Sequence, residues 1–245
     1  MKLNLSGETI ESLLYNANTP VLELKIAYPQ IMGQLSRQSE FHFNDYYRTQ
    51  ARAVNRSTRT ECYHRACEEF RQAREQEYDF TLHSFLRSFF IPRLDLHYTS
   101  VIIDRYQYTG GPHGMTVRTA NTWDFHTGTI IPLSHFFRKD APYKKKILQF
   151  ISREIERQKE SEEILFFENP LRNAKHCFQE QNFYLTHEGI TVFYPLYTLA
   201  PYYAGILNYK IPFSELDGSW AAGRRPEIVP PYTGSFSAGS GPDLL

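Results

Sequence analysis

Cysteine is scarce and odd in number. The three in 245 residues are Cys62, Cys67 and Cys177, too few for a disulfide framework, and the five-residue step between the first two is neither a CxxC redox pair nor a usual zinc half-site. They read as free or buried thiols of a reducing compartment. Net charge is also missing. The 27 Lys+Arg balance 27 Asp+Glu and the pI is near 7.1, so no long-range field draws nucleic acid or an anionic membrane to the chain. Long apolar runs are absent too. Glu8, Glu11 and Ser12 break the first 18 residues, which therefore do not read as a secretory leader, and nothing approaches the roughly 18 to 20 apolar residues that span a bilayer. As written, the chain is expected in the cytoplasm, or outside it if a leader was removed. Trp and Met are rare at 2 and 3, whereas 17 Tyr and 18 Phe bring the aromatic share to 15%. Tyrosine suits half-buried strands, where the ring packs and the hydroxyl reaches water or a partner.

Periodicity divides the chain. Val21 to Ile31 alternates as a strand, with Pro29 pointing to a sheet edge or exit. From Ser36 to Glu77 the pattern is helical, with Cys62, Ala66, Phe70 and Ala73 on one stripe, giving one long helix or two consecutive ones. Strand chemistry returns over Tyr78 to Phe90, Arg93 to Thr109 and Thr116 to Phe125. The middle strand carries bulky groups on both faces and is expected to be covered on both. Gly110-Gly111-Pro112-His113-Gly114 separates two of these strands. Pro142 to Lys159 fits an amphipathic helix through Ile147, Phe150, Ile151 and Ile155, and Asn169-Pro170 reads as a cap and first-turn pair. Asn182 to Tyr197 reads as a hairpin about His187-Glu188-Gly189, and Ile206 to Pro212 as a strand closing the sheet. From residue 218 to 245 the chain is a Pro/Gly/Ser-rich flexible tail. Strands in consecutive runs give an α+β fold: a largely antiparallel sheet, a long N-terminal helical segment and an amphipathic helix packed on the sheet.

Chemical motifs are few. The glycine loop lacks the GK[ST] ending of a phosphate loop and reads first as a structural turn and next as a binding loop. Asp124 and His126 would share one strand face if the strand continued that far, but no third metal ligand is identifiable, HExxH is absent, and so is GxSxG. No cofactor, metal or catalytic set is therefore assigned. Tyr197 to Tyr203, YTLAPYY, followed by Ala204-Gly205, forms either a rigid aromatic ledge for proteins or sugar rings, or a strand bend with its tyrosines on the core.

Three segments together resemble a known family. VLELKIAYPQI resembles the opening strand of the DUF4163 domain. YQYTGGPHGMTVRTANTWDFHTGTIIPLSHFF resembles the central pattern of DUF3298, and YTLAPYYAGILNYKIPFSEL its C-terminal pattern, with Tyr197, Ala200, Pro201, Tyr202, Gly205 and Ile211-Pro212 in order. The resemblance spans about residues 18 to 217 and divides them into a DUF4163-like region over 18–90 and a DUF3298-like region over 91–217. It implies a non-catalytic extracytoplasmic module, as in the lysozyme-binding sensor region of a membrane anti-sigma factor and the non-catalytic region of a peptidoglycan deacetylase. No membrane helix, sigma-binding segment or deacetylase domain is recognisable here, so only fold and a binding role carry over. The expected partner is a lysozyme-like protein or a peptidoglycan fragment, and the candidate ligand-binding residues are Tyr108, His113, Asn121, Tyr197, Pro201, Tyr202 and Tyr203. The alternative is a hydrolase with a site around His113 and Asp124.

Overall fold

The computed structural model describes residues 3–230. Its first strand, β1 (Asn4–Asn16), lies in a segment too polar to stand out as a strand. β1 is the edge of the sheet, pairing antiparallel with β2 (Thr19–Met32) along its whole length. Its Glu8 and Glu11 face solvent while Ile10 and Leu14 reach the core, the pattern of a guarded edge. β2 is correspondingly apolar, burying Val21, Leu22, Leu24, Ile26 and Ala27.

Ser36 caps the next element, its Oγ accepting the Ser39 N–H at 3.0 Å. Helix α1 (Arg37–Ser57) runs through a π turn, Thr58–Cys62, into α2 (Tyr63–Glu75). Of the two expected alternatives, one long helix or two consecutive ones, the chain takes the uninterrupted form, with a local change of winding at the π turn. Buried residues at four-residue steps, Ser39, Phe43, Tyr47 and Ala51, drift around an α-helix. The wider π turn turns the stripe back so that Ala66 and Ala73 stay on the core face. This helical crossover returns the chain to β3 (His83–Leu94), parallel to β2 in the register Leu22↔His83 to Ile26↔Arg87. That parallel pair is the exception in a mostly antiparallel sheet, and it follows from the long helical connection. β3 starts five residues later than expected, because Glu77 takes φ 58° and Tyr78 N–H closes on the Ala73 carbonyl at 3.0 Å, a helix stop.

β4 (Tyr98–Tyr108), β5 (Met115–Asp124) and β6 (Thr129–Ile131) complete a six-stranded sheet in the order β1-β2-β3-β4-β5-β6. Thr99 to Ile103 of β4 are all buried, as bulk on both faces required. β7 (Phe183–Leu185), β8 (Gly189–Tyr194) and β9 (Leu207–Pro212) form a second, antiparallel sheet. The last strand thus does not close the first sheet, a correction to the single sheet expected: β9 finds its ladder on its sequence neighbour β8. Helix α3 (Tyr143–Glu160) buries Tyr143, Ile147, Ile151 and Ile155 in one core with this second sheet. Ahead of α4 (Pro170–His176), Asn169 sits at φ 54° and makes no side-chain cap, contrary to expectation. Asn173, inside the helix, donates from its Nδ2 to the Glu168 carbonyl at 3.0 Å.

The chain groups into two compact units, one of residues 3–90 and 103–117, the other of 91–102 and 118–230. In the second, residues 218–230, which composition assigned to a flexible tail, are tied down by backbone bonds. Arg138 N–H donates to the Ser219 carbonyl at 3.0 Å, Ala221 N–H to Phe136 at 2.9 Å and Val229 N–H to His187 at 3.1 Å. Low apolar content did not prevent ordering, because main-chain donors found buried acceptors. The rest of the tail reading, residues 231–245, lies outside the described residues.

Candidate functional site: a tyrosine loop between two strands

Pro195 ends β8, and the loop to β9 is built from two consecutive turns. In the first, Thr198 N–H donates to the Pro195 carbonyl at 3.2 Å and Tyr197 takes φ 60°, a conformation rare for a bulky residue. Leu199 and Ala200 then drop into the core of the second unit, and the Leu199 carbonyl accepts the Phe167 N–H at 2.9 Å. In the second turn, Ala204 N–H donates to Pro201 at 3.0 Å and Gly205 N–H to Tyr202 at 2.9 Å. Gly205 sits at φ 68° with open space where a Cβ would point, so glycine is needed for its backbone angle and not for room.

Because the aliphatic pair supplies the anchor, the aromatic rings stay outside. Tyr203 is 67% exposed and Tyr197 45%, while Tyr202 is half-buried with its ring 5.9 Å from that of Tyr197 at an interplanar angle of 39°. In the core of the same unit, Tyr194 and Tyr209 meet edge to face at 5.8 Å, and the Tyr194 hydroxyl donates to the Ala174 carbonyl at 2.8 Å. Burial pushes both of these hydroxyls far up from the ordinary tyrosine range, so they are neutral packing groups. The loop presents exposed rings on a rigid base, the arrangement that binds flat or apolar ligand surfaces at low ordering cost.

Four further residues of this unit were not singled out from sequence. Leu165 and Phe167 are exposed apolar residues on the segment fastened to Leu199. Asn208, at the start of β9, accepts from Arg118 Nη1 at 3.2 Å and from the Tyr184 hydroxyl at 3.2 Å. Leu165-Phe166-Phe167, an apolar run in a charged stretch, was a legible signal for the first pair. Nothing local marks Asn208 or Arg118, which lie 90 residues apart.

The other expected site residues fall elsewhere. Asn121 is a half-buried residue of β5 in the same unit as the tyrosine loop. Tyr108 and His113 belong to the other unit. There the Tyr108 hydroxyl donates to the Gly111 carbonyl at 2.9 Å, and His113 Nδ1 lies 3.0 Å from the Gly114 carbonyl. Gly110 and Gly111 hold φ of 93° and 89°, and a Cβ on Gly114 would strike the Tyr106 ring and the Gln107 carbonyl. The glycines are thus explained by turn geometry. Asp124 is buried, its Oδ1 accepting the His126 N–H at 2.8 Å while its carbonyl accepts Gly128 N–H at 2.8 Å, which shapes the turn from β5 to β6. Among the described residues no group of three or more His, Cys, Asp or Glu is arranged to hold a metal ion. No helix among them is long and apolar enough to cross a membrane. An open cleft of about 630 Å³ beside α2 is lined by Asn16, His64, Cys67, Phe70, Arg71 and Arg74, among others.

Comparison with known proteins fits this architecture. Residues 134–214 match the family described as protein of unknown function (DUF3298), and residues 15–116 match the family described as Deacetylase PdaC. Over 108 residues the chain is 23% identical to the peptidoglycan-N-acetylmuramic acid deacetylase PdaC of Bacillus subtilis (strain 168), a match covering 43% of this chain and 22% of that enzyme. In fold it is similar to a DUF3298-family protein from Bacteroides fragilis, with a TM-score of 0.69, 16% identity and 91% and 97% of the two chains covered. It is also similar to one from Pseudomonas aeruginosa PAO1, at 0.61, 17%, 91% and 96%.

Proposed function

We propose that this chain, a DUF3298-family protein with a PdaC-like region ahead of the DUF3298 match, is a non-catalytic binding module of the bacterial cell envelope whose tyrosine loop contacts a peptidoglycan fragment. The observation that carries the reading is the loop itself: exposed Tyr197 and Tyr203 with half-buried Tyr202, held by Leu199 and Gly205. Sugar rings stack on such faces, and Arg118, steadied by Asn208, adds a directed donor in the same unit. The relative matched over 108 residues is named for its action on peptidoglycan, which supports a glycan of that class. A protein such as lysozyme is the second reading, favoured by exposed Leu165 and Phe167, whose apolar surface suits a protein face. The hydrolase reading around His113 and Asp124 gains no support from Asp124, since its Oδ1 already serves a turn.

Calorimetric titration with muropeptides and with lysozyme tests the proposal. A dissociation constant of about 10 μM or tighter is expected for one of them, with Tyr203→Ala and Tyr197→Ala each weakening it roughly 5- to 10-fold. No heat with either ligand, or full affinity in the double alanine variant, would overturn it.

A further inference from the structure

The open cleft of about 630 Å³ beside α2 lies within the first compact unit, and its size falls in the range of small-ligand sites. Its floor is apolar. Half-buried Cys67 and Phe70 pack on the core that α2 shares with β2, and Phe80 meets the Phe70 ring edge-on at 5.4 Å. Asn16, the last residue of β1, also lines it. Two bonds hold the end of β1 against the helical segment: the Tyr63 hydroxyl donates to the Tyr15 carbonyl at 2.7 Å, and Arg59 of the π turn donates to Ser12 Oγ. The cleft is thus built in advance of any ligand, which lowers the ordering cost of filling it.

Exposed side chains of both signs rim this floor. Glu68, Arg71 and Glu75 follow one another at steps of three and four residues along one helix face, with Arg71 Nε 4.0 Å from Glu75 Oε1, the outer limit of an ion pair. Arg74 Cζ lies 6.0 Å from the centre of the Phe70 ring, which keeps a second guanidinium at the apolar floor. A simple anion or cation meets a charge of its own sign in such a rim, and an apolar molecule covers charges without satisfying them. A short peptide with free ends meets both demands. Helix rise sets Glu68 and Arg74 about 9 Å apart along the axis, and an extended tripeptide spans about 10 Å. We propose that the cleft binds a tripeptide-sized chain with free termini and an apolar middle side chain. Its ammonium donates to Glu68, its carboxylate accepts from the planar fork of Arg74 with Arg71 alongside, and its middle side chain rests on Phe70 and Cys67. The site stands if the tyrosine loop binds nothing.

Calorimetry of the intact protein with Ala-Leu-Ala, with its N-acetylated form and with its C-terminal amide tests the assignment. The free peptide is expected to bind with a dissociation constant of about 300 μM or tighter at low salt, and each blocked form about 5-fold more weakly. Glu68→Gln and Arg74→Gln, changes at exposed positions that leave the fold intact, should each weaken the free peptide by a similar factor. Glu68→Gln should no longer distinguish the acetylated peptide from the free one, nor Arg74→Gln the amide. Affinity for Ala-Leu-Ala should be unchanged in the Tyr197→Ala, Tyr203→Ala variant. No heat at about 10 mM peptide, equal binding of blocked and free peptides, discrimination that survives in both charge variants, or affinity lost with the tyrosine pair overturns the site.

Discussion

Glu180 illustrates what one residue gains from a distant partner. Its Oε2 accepts from the Tyr143 hydroxyl at 2.5 Å, and its Oε1 pairs with Lys144 Nζ at 2.5 Å. Burial by itself would push this carboxyl up, but Lys144 and Tyr143 outweigh it and hold the group below its ordinary 4.5. A folded pKa below the unfolded one means that the stabilisation is complete above about pH 4.5 and is lost as pH falls through the folded value. Acid titration of urea stability between pH 6 and 2 is therefore expected to show a steeper loss for the natural chain than for a Tyr143→Phe, Lys144→Met variant. The pairing was not legible beforehand, because Tyr143 and Glu180 are 37 residues apart and only folding brings them together. The loop tyrosines show the same division. Their types and spacing marked the segment, but whether they faced core or solvent depended on Leu199 and Ala200 taking the buried positions.

At the level of elements, one polar side chain ties α1 to β2 beside their shared apolar core. Asn44 imitates a strand partner for Ile31, and its own carbonyl accepts from Gln30 Nε2 at 3.2 Å. Asn44→Ala leaves a strand N–H and a carbonyl without partners, for an expected loss of about 2 to 3 kcal/mol, read as a lower urea midpoint at unchanged slope. Helix α3 and the hairpin of β7 and β8 were legible because their apolar periods, 3.6 and 2, agree with their burial. β1 was not: as an edge strand it needs only one weakly apolar face, and its identity comes from the register it shares with β2.

Across the whole molecule, the chain is not divided as its order suggests. Strands β3, β4 and β5 each contribute residues to both compact units, so residues 103–117 group with 3–90 and not with their sequence neighbours. In the second unit, the segment after Leu216 completes the packing that composition denied it. Trp220 stacks on Phe137 with ring centres 5.0 Å apart and meets Phe213 edge-on at 5.8 Å. Farther along, buried Arg93 donates to the Glu227 carbonyl at 2.9 Å and to the Thr186 carbonyl at 3.2 Å. Its Nε–Asp95 Oδ2 approach of 2.7 Å is an ion pair too bent to serve as a hydrogen bond. Trp220→Ala is expected to lower stability by about 2 kcal/mol, below a full core truncation because the ring is partly exposed. A truly free tail would give no change in the melt.

The sequence by itself determined the α+β class, the long helical segment, the amphipathic helix and the tyrosine-rich loop. Each of these is a local pattern of period, cap or turn chemistry that neighbours in the chain write together. Only the tertiary structure decided which rings stay exposed, that the last three strands form their own sheet, and that residues 218–230 are held. Those outcomes depend on contacts between residues far apart in the chain, and burial and pairing are properties of the partner as much as of the residue.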